Sequence, residues 1–480
     1  MTANIKPYPA YKDSGVPWLG QVPEHWGVKR LKNVSRIIMG QSPASDTCFA
    51  EQTGMAFLQG CAEFGMVSPR PKQYCSDPPK VSPSGALLLS VRAPVGRVNF
   101  ADQIYGIGRG LCAILPNNQV LETRFSSYAL SASVSGLLIV ATGSTYDAIS
   151  TSDVGNHLLM LPPLAEQAAM VRYLDHVDRQ VRHAIRARQQ LIKLLTEQKQ
   201  AIIQRAVTRG LDPNVRFKPS GVPWLGDVPE HWEVATLRRY LRPVDGIKIG
   251  PFGSQLKLDQ MSQSGYKVYG QANVIANDFA VGSKFVDSEK YDELSTCEVR
   301  PDDLLVTMMG TSGRCVSVPQ GAALGIMDSH LLRLRTGTRV DVNFAALVIN
   351  DSSYVKEQIA VVGKGSIMLG LNSSMVKDIV LALPPLSEQA IVLRYLDGAT
   401  ANFDKAIDIA HREIGLLRGY RTRLIADVVT GKLDVRNVPV PDDETDVLPE
   451  EPEDIDDPDA MDQGDDITEE NSDSSAEESA

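Results

Sequence analysis

The string that comes nearest to catalysis in this chain is Asp77-Pro78-Pro79-Lys80, which matches the first three positions of the [DN]PP[FY] loop of amino-methyltransferases. That chemistry needs an aromatic fourth residue to stack on a flipped base, and Lys80 cannot supply it, so the string reads as a plain turn. No glycine-rich turn leading into a helix and an acidic residue offers a seat for S-adenosylmethionine. GKGS at Gly363–Ser366 lacks both the spacing and the terminal Lys-Ser/Thr pair of a phosphate loop. PDD at Pro301–Asp303 has no acid and lysine on a neighbouring strand to complete a nuclease core, and reads as a turn before a strand at Leu304–Thr307. Cys48, Cys61, Cys75, Cys112, Cys297 and Cys315 form no CxxC or Cys/His knuckle and read as free thiols of a reducing compartment. There is no HExxH, and His176 and His183 on a predicted helix read as packed or solvated. His25 and His231, each within a PEHW string, read as structural hydrogen-bonding groups rather than catalysts.

Those two histidines belong to larger copies of one another. GVPWLGQVPEHW at Gly15–Trp26 and GVPWLGDVPEHW at Gly221–Trp232 differ only at Gln21 and Asp227, lie 206 residues apart and contain all four tryptophans. A second pair, LPPLAEQ from Leu161 and LPPLSEQ from Leu383, is offset by 222 residues. The chain is therefore a tandem duplication.

After each LPPL string runs a stretch free of proline, Ala165–Val207 and Ser387–Val429. Diproline before and glycine after punctuate a helix. Val171, Leu174, Val177, Val181, Ile185, Ile192, Leu195 and Ile202 make an apolar stripe, repeated by Leu393, Leu396, Ala399, Phe403, Ile407, Ile414, Leu417 and Leu424. A helix of such length reaches about 65 Å, too long for one small domain, so the two stripes are expected to pack on each other as a coiled coil, the alternative being that each packs on its own globular domain. Gly398, Gly415 and Gly419 weaken the second stretch, and a break near Gly398 is expected to be tolerable.

Between motif and helix lie Gly27–Met160 and Glu233–Ala382, with short apolar runs such as Ala86–Val91 and Asp303–Met308 and helical interludes at Phe125–Ser133 and Phe344–Gln358. They predict mixed α/β domains. The expected partition is a first domain at 1–160, a long helix and linker at 161–215, a second domain at 216–382, a second long helix at 383–436 and an acidic disordered tail at 437–480. The flanks are nearly identical and the interiors have diverged, which suggests one scaffold holding two different readers.

Taken together, the PWLGxVPEHW and LPPLxEQ strings, GQSP at Gly40–Pro43, SVRAPVG at Ser90–Gly96, IGRGL at Ile107–Leu111, GPFGSQLK at Gly250–Lys257 and GSTYDAISTSDV at Gly143–Val154 resemble the specificity subunit of type I restriction-modification systems. The resemblance runs from about Tyr11 to Arg436. It implies a mixed α/β fold with two tandem target-recognition domains, joined by two long antiparallel helices with a pseudo-twofold repeat. It implies that each domain reads half of a split, asymmetric site in double-stranded DNA, and that the helices fix the half-site spacing. The implied partners are two modification subunits and the restriction subunits, which would carry S-adenosylmethionine, ATP and Mg²⁺, leaving this chain without cofactor or catalysis. A self-contained methyltransferase and a purely structural coiled-coil scaffold are the alternatives.

Charge agrees with a DNA reader once it is divided. The net charge of −11 conceals a tail, Asn437–Ala480, with 11 Asp, 8 Glu and no Lys or Arg; the rest carries 48 basic against 40 acidic residues. Candidate DNA contacts are Arg70, Lys72, Arg92, Arg97, Arg109 and Tyr146 in the first domain, and Lys248, Lys257, Lys267, Arg314, His330 and Lys364 in the second. Affinity driven by phosphate contacts should fall steeply with salt. The absence of a signal core or an apolar span predicts a cytoplasmic protein.

Overall fold

The computed structural model describes residues 5–16, 19–44, 47–140, 148–252, 255–309, 313–363 and 371–441. The chain divides into two compact units, residues 1–177 with 424–480 and residues 178–423.

Each unit holds the same frame. In the first, an antiparallel sheet runs in the order Val98–Phe100, Leu87–Ser90, Leu111–Pro116, Ser35–Met39. In the second, the order Cys315–Ser317, Leu304–Thr307, Leu331–Leu334, Ile247–Ile249 repeats it. The registers agree: Leu111 faces Ser90 as Leu331 faces Thr307. Leu87–Ser90 and Leu304–Thr307 are buried along their whole length, as continuous apolar runs covered on both faces must be. A second sheet in each unit is built on a parallel pair, Met55–Leu58 beside Tyr105–Ile107 and Tyr266–Tyr269 beside Gly325–Met327, with Leu58 facing Ile107 as Tyr269 faces Met327. It has five strands in the first unit and four in the second; Cys48–Phe49 is the additional strand.

The predicted helical interludes are present with changed bounds. Thr123–Ala132 is capped by the Glu122 carboxylate, which accepts from Arg124 N and Phe125 N. The second interlude is two helices, Val342–Asp351 and Ser353–Gly363, parted at Ser352.

The long helices are Leu164–Arg209 and Leu386–Val429. No break occurs near Gly398, though the sequence left room for one. Gly398 is exposed and a Cβ there would meet nothing within 4 Å, so its cost is propensity alone, about 1 kcal/mol, which tertiary packing of Val392 and Leu396 offsets. Within the second unit the helices run antiparallel. Arg421 pairs with Asp178, Glu413 lies 3.0 Å from Arg188, and Asp404 pairs with Lys199, so advance along one helix is retreat along the other. The Arg188–Glu413 pair is too exposed to contribute more than about 1 kcal/mol, whereas Asp178 is buried between Arg182 and Arg421. The predicted stripe is buried or half-buried at every position, and Ile202, Leu393 and Leu396 pack into the globular core of the second unit. Among the described residues no helix is long and apolar enough to cross a membrane.

Candidate nucleic-acid interface and the joints that hold it

The two duplicated motifs are partners. Trp26 is 1% exposed and its Nε1 donates to Glu166 Oε2 at 3.0 Å, while His25 Nε2 lies 2.7 Å from Glu166 Oε1. In the second unit Trp232 Nε1 donates to Glu388 Oε1 at 3.1 Å, and His231 Nε2 lies 2.7 Å from Glu388 Oε2. The glutamate of each LPPLxEQ string therefore receives the indole and imidazole N–H groups of a PEHW string. A carboxylate in the first turn of a helix also suits the positive end of its dipole.

The next residue fastens the domain itself. Gln167 accepts from Glu122 N at 2.8 Å and donates to Val120 O and Pro162 O at 2.9 and 2.7 Å. Gln389 accepts from Asp341 N at 2.8 Å and donates to Arg339 O and Pro384 O at 3.0 and 2.8 Å. Both side chains are fully buried, so every polar atom needed a partner and has one.

Glycines close each joint. Gly431 (φ 76°) follows the second long helix, and a Cβ on it would lie 2.4 Å from Pro23 Cδ and 3.0 Å from Trp26 Cη2. Gly210 (φ 70°) follows the first, and a Cβ on it would lie 3.1 Å from Glu388 Oε1 and 3.3 Å from Trp232 Cζ2. Both supply the left-handed residue that ends a helix. The first joint has additions of its own: Tyr8 OH donates to Glu166 Oε2 at 3.2 Å, and Arg436 lies 4.9 Å from the Tyr8 ring and 3.5 Å from Glu166 Oε1. Burial, then the Glu166 carboxylate, drives the Tyr8 phenol far above its usual range. Hydrogen bonding from Arg436 holds the Asp434 carboxyl below its usual value.

The candidate DNA contacts scatter over three environments. Arg70, Lys72, Arg92, Arg97 and Arg109 are exposed, as are Lys257 and Arg314. Lys248 is half-buried on a strand opposite Arg333, and His330 stands 3.8 Å from Asp328. The Asp328 carboxyl is pushed up by burial, against the pull of His330. Lys267 does not fit the expectation of a phosphate contact: it is 5% exposed and its ammonium donates to Ala280 O at 2.8 Å, so it serves the fold. Tyr146 and Lys364 lie outside the described residues.

Two candidates coincide. Arg97 N donates to Ser90 Oγ at 2.8 Å and Arg314 N to Thr307 Oγ1 at 3.0 Å, so the repeat places them at one position. Arg92 and Arg109 stand at one end of the first antiparallel sheet, where the chain turns beyond Ser90 and before Leu111; Val91 N donating to Gly110 O at 2.9 Å joins the two turns. Gln41 and Gln59 reach the same end. Gln41 N donates to Ile107 O at 3.0 Å, and Gln59 O accepts from Gly110 N at 3.2 Å. Neither glutamine stands out in the sequence, because an amide carries no charge; only GQSP hinted at the first.

Residues 23–194 match the family described as the type I restriction modification DNA specificity domain. A protein described as the putative type I restriction enzyme MjaX specificity subunit of Methanocaldococcus jannaschii is 38% identical over 179 residues, 37% of this chain and 41% of that protein. The type I restriction enzyme MjaVIII specificity subunit of the same organism is 20% identical over 426 residues, covering 87% of this chain and 95% of the relative. A chain from a solved structure concerning complex assembly and conformational transition of the type I R-M system matches with a TM-score of 0.61 at 17% identity, covering 86% of this chain and 99% of that one. At that identity the structural likeness is one of fold.

Proposed function

We propose that the chain is a specificity subunit of the type I restriction-modification kind, and that it reads a split, asymmetric site in double-stranded DNA without catalysing a reaction itself. The observation that carries this reading is the pairing of identical joints with unlike interiors. Glu166 and Glu388 hold the same groups, Gln167 and Gln389 grip the same backbone positions, and the sheets share one register, yet the exposed ends differ in residue type. One frame carrying two surfaces suits a target made of two dissimilar halves.

In this reading the chemistry belongs to partners. Two modification subunits would bind S-adenosylmethionine, restriction subunits would use ATP and Mg²⁺, and the equivalent joints of this chain would offer two similar docking frames. The acidic tail would remain a solvating segment, its composition being that of a chain without enough apolar surface to fold.

The test is to sequence methylated bases in DNA from cells that carry this chain with its modification partner. A split motif with unlike halves that appears only with this chain is expected. A modification pattern indifferent to the chain's presence would end the proposal, and methylation by the purified chain alone would replace it with a self-contained enzyme.

A further inference from the structure

We propose that Gln59, Arg92 and Arg109 read base edges of one half-site, and that the residues standing in their places in the second unit, Gly270, Met309 and Ser329, make the other half-site different. This rests on the DNA-reading function proposed above and narrows it to positions.

The antiparallel sheet of the first unit has one fastened end and one open end. At the fastened end, beyond Pro116, Asn117 N donates to Val34 O, and Gln167 grips Val120 and Glu122. The open end is the opposite end of the same strands, where the turns carrying Gln41, Gln59, Arg92 and Arg109 are drawn together by backbone bonds. Gly108 makes this approach possible, since a Cβ there would lie 2.3 Å from Gln59 Oε1 and 3.1 Å from Gln59 Cα. The Gln59 side chain consequently lies against the turn that carries Arg109, and its Nε2 donates to Ser42 Oγ at 3.2 Å. Among the described residues neither Arg92 nor Arg109 has a carboxylate partner, and both are exposed.

Register assigns the counterparts without any judgement of sequence similarity. Leu58 and Tyr269 hold the same place beside Ile107 and Met327, so Gln59 corresponds to Gly270 and Arg109 to Ser329. Val91 N bonds Gly110 O as Met308 N bonds His330 O, so Arg92 corresponds to Met309, which is 45% exposed. The chemistry at matched positions is thus amide and guanidinium in one unit, thioether, hydroxyl and no side chain in the other. Arginine can bond guanine O6 and N7 with both arms, and glutamine can do the same to adenine N6 and N7; methionine offers only apolar contact. Arg97 and Arg314, alike in both units, cannot distinguish the halves and suit phosphate, which is the same in every sequence.

The experiment is to sequence methylated bases in cells carrying the full chain and its modification partner, for wild type and for Arg92→Met, Arg109→Ser and Arg109→Lys. Each variant should relax preference about tenfold at one or two positions of a single half-site while the other half stays intact. Arg109→Lys keeps the charge at an exposed site and should show the same relaxation, so an unfolded serine variant would not decide the matter. An unchanged motif in Arg92→Met and Arg109→Lys overturns the assignment, and so does even weakening of both halves, the mark of phosphate contacts. A wild-type chain that directs no motif overturns instead the function on which the assignment rests.

Discussion

Trp26 and Glu166 are 140 residues apart in sequence and joined at 3.0 Å, one in the first duplicated motif and the other in the second. Trp232 and Glu388 repeat the relationship at 3.1 Å. The strings that changed least between the two halves are therefore the two sides of one contact, and substituting one side exposes what the other was doing.

Glu166→Ala should destabilise the first unit by about 3 kcal/mol, because it leaves buried donors from Trp26 and Tyr8 without their acceptor. Glu388→Ala should cost less, about 2 kcal/mol, since its carboxylate is 25% exposed against 10% and water can replace part of it. Hydrogen exchange resolved by unit reports each loss separately; equal losses would contradict the ranking.

Gly431→Ala should be the more damaging of the two joint glycines. Both sit at positive φ, which costs an alanine about 1–2 kcal/mol. Both added carbons press on an indole, but only at Gly431 does one overlap a proline ring, 2.4 Å from Pro23 Cδ, which cannot swing away. At Gly210 the nearest atom is the end of the Glu388 side chain. Thermal unfolding of the two variants should differ by several degrees; similar melting would show that the proline and indole yield.

His157 gives the first unit a dependence on acid. It is buried with Nε2 2.8 Å from Ser133 Oγ, and burial lowers its pKa to about 4 from 6.5. The unfolded chain takes up a proton near pH 6.5 while the folded one refuses it until about pH 4. Stability from this group is therefore complete above pH 6.5 and is lost as pH falls to 4, about 3 kcal/mol in all. Urea titrations of wild type and His157→Gln at several pH values should show a shallower slope in the variant across that window; identical slopes would place the proton uptake elsewhere.

The second unit holds a partly buried ion-pair network that has no counterpart at the matching strand positions of the first. Arg335 Nε bonds Asp303 Oδ1 at 2.7 Å, Asp245 accepts from both Arg333 and Arg335, and the matching places in the first unit are Ala113 and Leu115. Asp303→Asn should cost the second unit about 3 kcal/mol by leaving a buried cation short of its partner. Arg335→Leu with Asp303→Asn should cost less than Asp303→Asn alone, and denaturation midpoints of the two variants decide it.

The duplication, the long helices and the mixed α/β domains were legible because each leaves a local signature: a repeated string, a spacing of three and four, a short apolar run. What joins them was not, since the Glu166 contacts close loops of 140 and 141 residues and no local pattern names such a partner. The useful clue was that both strings of each pair survived duplication together. Glycine at 398 left room for a break that did not form, because propensity is a weak influence beside the packing of a long apolar stripe. Lys267 misled for another reason: a basic residue between two tyrosines looks the same in sequence whether its ammonium meets a phosphate or the carbonyl of Ala280. Burial decides that, and burial is a property of the fold.

Gln167 and Gln389 bond only main-chain atoms of the segments they hold. A fastening made to peptide groups is blind to the side chains borne by the fastened piece. Between one joint and the next, then, residues can be exchanged wholesale while the attachment persists, provided the backbone returns to the same few donors and acceptors. Novelty in what the protein recognises need not wait on compensating change in what holds it together.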